Sequence, residues 1–192
     1  ERFQRLELLA RVIEKGTQSL PWCGNVALQK LVYLLQNVFG ANLGYQYGLH
    51  HLGPYSAELA DDIGMGASAR RWESWSESFE PAKGMVATGW HFQVKKNSPF
   101  PKPVRQASEQ EWMRICHKVD AACAEVQGMN SRDLELVATL HYLRHVQQVA
   151  EDQLSEVLIA LKPKFDFQDV KSGLERLNRM EEASRRLGSR AA

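Results

Sequence analysis

The chain has 192 residues, 44% of them hydrophobic and 24% charged, with a formal net charge of only +1. That is long enough for one domain with a real core, and the near-neutral charge excludes polyanion binding by bulk electrostatics, so any nucleic-acid role needs a local patch. No run approaches the roughly 18 apolar residues of a membrane span, so no membrane partner is expected.

Glu1-Arg2-Phe3-Gln4-Arg5 has no signal-peptide apolar region, and Cys23, Cys116 and Cys123 stand at neither disulfide nor metal spacing. Reduced thiols and a cytoplasmic setting are the expectation. Leu6, Leu8, Leu9, Val12 and Ile13 recur at helical spacing and predict a first helix over roughly 2–15. Gly16, Pro21 and Gly24 interrupt it. Asn25 then opens a run of Val26, Leu28, Leu31, Val32, Leu34, Leu35 and Val38, closed by Gly40. This second helix is apolar around most of its circumference and is expected at the centre of the core, with Gln29, Lys30, Gln36 and Asn37 as its polar surface.

Leu43 to Leu49, with Tyr45 and Tyr47, has the alternation of a half-buried strand. Gly53-Pro54-Tyr55-Ser56 follows as a turn: Gly53 can take positive φ, Pro54 fixes its own φ, and Ser56 can cap a helix from Ala57 to about Ile63, ended by Gly64, Gly66 and Ser68. Helix, strand, turn and helix in this order are what winged-helix-like modules use.

From Arg70 to Pro103, Trp72, Trp75, Phe79, Trp90, Phe92 and Phe100 lie among Gly, Ser and Pro. Met85–Thr88 and Trp90–Val94 predict two strands around Gly89, or one strand bulged there, forming a wing. Trp72 and Trp75, three residues apart, suit one helical face packed on the domain. Helices are then predicted near 107–127, 131–147, 151–161 and 167–187, with Asn130 or Ser131 starting the second of these. Its Leu134, Leu136, Val137, Leu140 and Leu143 make a broad apolar face, and the 131–147 and 167–187 helices are the expected places for an interface.

The predicted class is therefore α+β, mainly α: a helical core, a small β-hairpin wing and C-terminal helices. A single domain spans 1–192, in which 1–105 is the helix–strand–GPYS–helix module with its Trp-rich wing and 106–192 is a helical extension packed on it.

The segments L-Q-K-L-V-Y-L-L-Q and H-H-L-G-P-Y-S-A-E-L-A-D-D-I together resemble the YwgA-like proteins and, more distantly, the Panacea (SocA-like) antitoxin domain, over Val26 to about Ile63. The family pattern falls here on Lys30, Leu31, Tyr33, Leu34, Gly53, Pro54, Tyr55, Ser56 and Leu59. The 64–103 region is longer and richer in Trp than that pattern. The resemblance implies a small bacterial or phage module that binds a protein (a toxin, a protease or itself), antitoxin- or adaptor-like and of mobile-element or defence type. It supplies no catalytic residue and no cofactor.

Glu58, Asp61 and Asp62 on the helix after the GPYS segment, with Trp72 and Trp75, are the candidate partner contacts. Three carboxylates and no Lys or Arg between Ser56 and Ile63 argue against a DNA-reading helix, since they would face phosphates. Residues 66–105 carry seven Lys/Arg against three Asp/Glu. Arg70, Arg71, Lys95 and Lys96 are thus the candidate contacts of an alternative, nucleic-acid-binding reading.

Neighbouring His50 and His51 point to opposite faces of a strand, so one is expected to be buried against Tyr55 or Tyr33 and the other exposed. His141 and His145 are four apart and share a helix face. Two ligands beside Arg144 make a poor zinc site unless His117, Cys116 or an acid from another helix joins them, so no metal is expected. No nucleophile elbow, P-loop or dinucleotide fingerprint is present. An enzyme with an unrecognised site is the third reading, and it requires a deep pocket with convergent polar groups.

Overall fold

The nine consecutive residues from Ala27 to Leu35 are all buried, on a helix, α2, that spans Asn25–Asn37. Its apolar circumference makes it the centre of the core, as its sequence predicts. In the computed structural model, which describes residues 2–83, 85–95 and 109–190, the chain is α+β and mainly α, with two small antiparallel sheets of two strands each.

α1 (Arg2–Ser19) runs a turn beyond its predicted end and buries Leu6, Leu9, Val12 and Ile13. α4 (Glu109–Glu125) contributes Val119, Ala122 and Cys123. α5 (Ser131–His141) starts where Asn130 accepts the Asp133 amide at 2.9 Å, and it passes into a π-helical turn, Tyr142–Val146. α6 (Leu154–Leu161) and α7 (Phe167–Arg190) complete the chain. α7 opens on a reciprocal cap, Asp166 accepting the Asp169 amide at 2.8 Å and Asp169 accepting the Asp166 amide at 3.0 Å. One apolar cluster draws on all seven helices.

The apolar face of α5 is not an interface to another molecule. Leu134, Leu136, Val137, Leu140 and Leu143 are all buried within the chain. α7 closes over them at Gly173, where a Cβ would stand 2.8 Å from Leu140 and 2.9 Å from Leu136. The three cysteines are buried; burial pushes the Cys23 thiol up to about 12 and that of Cys123 to about 11.

The 43–49 segment is a strand only at its end. β1 (Gly48–His50) pairs antiparallel with β2 (Gly53–Tyr55), so Gly53-Pro54-Tyr55 is the second arm of a hairpin rather than its turn, which lies at His51-Leu52. Residues ahead of β1 are held instead by Gln36, which donates to the Tyr45 carbonyl at 2.8 Å and accepts its amide at 3.0 Å. α3 (Ala57–Ser68) then runs straight through Gly64 and Gly66 instead of ending at Ile63.

The wing is a long hairpin, β3 (Trp72–Ala82) and β4 (Met85–Val94). Trp72 and Trp75 thus lie on a strand, on opposite faces because they are an odd number apart, and not on one helical face. Pairing is unbroken through Glu77↔Gly89, so no bulge lies at Gly89; the register shift falls between Phe79 and Ala82. Gly89 serves packing: a Cβ there would sit 1.9 Å from the Trp22 ring. Gly66 does the same for buried Trp72, at 2.1 Å. The far end of the predicted wing, with Lys96 and Phe100, lies outside the described residues.

The two α3 glycines should therefore behave oppositely. Gly66→Ala pushes into Trp72 and is expected to destabilise by about 1–3 kcal/mol. Gly64→Ala meets nothing within 4 Å and should stabilise by about 0.5–1 kcal/mol through helix propensity. Urea midpoints of the two variants against wild type check both signs.

Candidate functional site

Gln29 and Lys30, which the sequence suggests as polar surface of α2, are buried and point at the 53–56 segment. The Gln29 amide donates to the Ser56 carbonyl at 2.9 Å and accepts the Ser56 amide at 3.0 Å, standing in for a neighbouring strand. The Lys30 Nζ donates to the Pro54 carbonyl at 2.7 Å. Ser56 Oγ accepts the Leu59 amide at 3.3 Å and so caps α3, as its position predicts. Gly53 holds φ at +88°, and a Cβ there would lie 2.7 Å from Thr139 Oγ1, so both backbone and space require glycine. Leu31 and Tyr33, the other motif residues of α2, are buried in the core.

The charges beneath this segment form a compact group. Lys30 is 1% exposed, and burial pulls its pKa down to about 8, with Glu135 opposing that shift and Lys162 and Lys164 adding to it. Buried Glu135 receives Lys162 at 2.7 Å and Lys164 at 2.6 Å, and Lys162 also donates to the His51 carbonyl. The β1–β2 turn is thus tied to α5 from one side and to α2 from the other.

Above Lys30 lies a cleft of about 700 Å³. Gln29, Lys30 and Gly53 form its floor; Leu52 and Tyr55, Ile63 on α3, and Trp90 and Phe92 on β4 line its walls. The lining is largely apolar, and the polar groups on its floor already bond to backbone. His50 and His51 both border it and both are exposed, contrary to the expectation that one is buried; the His50 ring lies 4.8 Å from Tyr55. His50 ends β1 and His51 opens the two-residue turn, at the tip of a hairpin that carries neither into the core.

The predicted partner contacts divide. Glu58 and Asp61 are exposed on α3. Asp62 is buried, accepting the Tyr45 hydroxyl at 3.0 Å and facing Arg5 Nε at 3.3 Å, so it belongs to the core and cannot meet a partner. Trp72 is wholly buried and is likewise not a contact, whereas Trp75 is exposed and stacks on His91 at 5.2 Å.

Arg70, Trp72, Trp75 and Lys95 do meet, around a shallow polar depression of about 680 Å³ that includes Glu73. Of the cations that line it, Lys95 pairs with Glu73; Arg71, which does not line it, pairs with Glu7 at 2.8 Å. The inward roles of Gln29, Glu135 and Thr139 leave no local trace, because their partners are 27 or more residues away for the first two and a glycine for the third. No family model and no curated protein matches the chain.

The low Lys30 value has a definite sign. Folded Lys30 loses its proton at about 8, whereas the unfolded residue holds it to about 10.5. Between these values the unfolded chain binds more protons, so this residue's contribution raises stability as pH climbs through that window. Lys30→Met should remove that rise relative to wild type; urea midpoints of both proteins at pH 7, 8.5 and 10 test it.

Proposed function

We propose that the protein is a polypeptide-binding module that takes an apolar segment of its partner into the cleft and against the β3–β4 hairpin. The observation that carries this reading is the exposure of three large aromatics on one hairpin: Trp75 at 45%, Phe79 at 44% and Trp90 at 41%. Trp90 stands on the cleft side, and Trp75 and Phe79 on the other. Exposed, rigid aromatics are the usual anchors of protein interfaces, and Trp90 is the one of the three that borders the apolar recess. Exposed Glu58 and Asp61 on α3 suit a partner with basic residues beside its apolar ones.

Two further observations favour this reading over its alternatives. Phosphate contacts through Arg71 or Lys95 would have to displace Glu7 or Glu73, which removes much of the gain from counterion release. The cleft has the depth an enzyme site needs, yet the one amine on its floor is engaged by the Pro54 carbonyl. An antitoxin- or adaptor-like role of mobile-element or defence type rests on the resemblance over residues 26–63, and a cytoplasmic setting rests on the cysteine usage of the sequence. Among the described residues no helix is long and apolar enough to cross a membrane.

Affinity capture from the source cells with wild type and with Trp75→Ala/Trp90→Ala tests the proposal. A specific protein bound by wild type and reduced at least about 30-fold with the variant, the loss of two hot-spot side chains, is the expected result. Equal capture by both, or salt-sensitive nucleic-acid binding that persists in the variant, would turn the reading down.

A further inference from the structure

α5 does not end at His141 but widens into the π-helical turn Tyr142–Val146, and such turns recur at functional sites. The widened turn leaves the His141 and His145 rings with centroids 4.6 Å apart and planes 37° apart. α7, drawn onto α5 at Gly173, brings Glu181 to the same place, where its Oε1 lies 2.8 Å from His145 Nε2. Each of the three residues places a ligand atom within 4.8 Å of the other two. This is the acid from another helix that the pair of histidines lacks in the sequence.

We propose that His141, His145 and Glu181 bind one divalent transition-metal ion of the zinc class. The donor set, two imidazoles and a carboxylate, is that of zinc sites which keep a fourth position open to water. His141 Nδ1 lies 2.8 Å from the Tyr33 hydroxyl; with Nδ1–H donating to that oxygen, the ring is fixed and the Nε2 lone pair is left for the ion. His145 is 47% exposed and gives the ion a path from solvent.

Arg144 is held mainly by groups outside the three ligands. Its guanidinium is held by Glu151 at 2.5 and 3.0 Å and by Asn178 at 3.0 Å, and it approaches Glu181 only to 3.6 Å. Ligand atoms around tetrahedral zinc, with bonds of about 2.0–2.1 Å, sit roughly 3.3 Å apart. The His145–Glu181 contact therefore opens slightly and the third ligand closes in. Both changes are rotations of side chains at the end of a helical turn.

Calorimetric titration of the untagged full chain with zinc ions, and cobalt absorption as a coordination readout, test the proposal. One saturable site is expected, weakened at least about tenfold by His145→Ala or by Glu181→Gln and unchanged in His50→Ala/His51→Ala. Zinc should also raise the thermal midpoint of wild type and not that of Glu181→Gln. No saturable binding, undiminished binding by the double variant His145→Ala/Glu181→Gln, or loss of binding in the His50/His51 variant would overturn it.

Discussion

The bond from the buried Lys30 ammonium to the Pro54 carbonyl, with the paired Gln29–Ser56 contact beside it, sets the position of everything on the cleft side of the molecule. Taking an ammonium out of water costs several kcal/mol unless the group is bonded and its charge answered. Here the carbonyl supplies the first and Glu135 the second. The cost makes the geometry selective, because a displaced 53–56 segment would leave a buried donor without an acceptor. Ser56 then fixes the first turn of α3, α3 carries Gly66, and Gly66 admits the Trp72 ring that roots the hairpin. Each step is a close contact that a shift of the preceding one would break.

The β3–β4 hairpin divides its aromatics by this anchoring. Trp72 and Phe92 are buried, and Trp22 lies over Gly89, 4.1 Å from the His91 ring, on the opposite face from Phe92. A two-stranded ribbon is marginal alone and needs packing against the rest of the chain. Trp75, Phe79 and Trp90 stay partly exposed although Phe79 packs on Trp22, with ring centroids 5.5 Å apart, and Trp75 stacks on His91. Of the three, Trp90 borders the apolar recess, and a large apolar group left exposed there marks a surface made for contact.

Much of this was readable before any coordinates, and the failures share one cause. The continuous apolar run identifies α2, Asn130 marks the start of α5, and Ser56 marks the start of α3, because caps and faces are local chemistry. β3 is hidden in the sequence because Trp72-Glu73-Ser74-Trp75 mimics a helical spacing, and because the strand's faces are both partly wet, so no clean alternation of apolar residues survives. Asp62 reads as one of three surface acids until Tyr45 and Arg5, distant in sequence, close over it. Glu135 reads as a polar residue on an interface helix until Lys162 reaches it. A glycine reads as a stop until a tryptophan arrives to fill its missing side chain, as at Gly66 and Gly89.

Tyr33 follows Lys30 by three residues on α2, less than one turn away and about 4.5 Å along the axis. Lys30 reaches the cleft floor while Tyr33 reaches His141 at the π-helical turn. One rigid helix, buried from Ala27 to Leu35, therefore fixes both the recess and the imidazole pair, and neither can move without repacking the core. All the polar atoms that do this fixing are engaged inward: Gln29 and Lys30 by backbone, Tyr33 by an imidazole. Recognition chemistry must then come from what those atoms position and not from the atoms themselves. On the cleft side that leaves the hairpin aromatics and the apolar walls; at the other end it leaves His145 and Glu181, which reach solvent beside a ring that Tyr33 holds still.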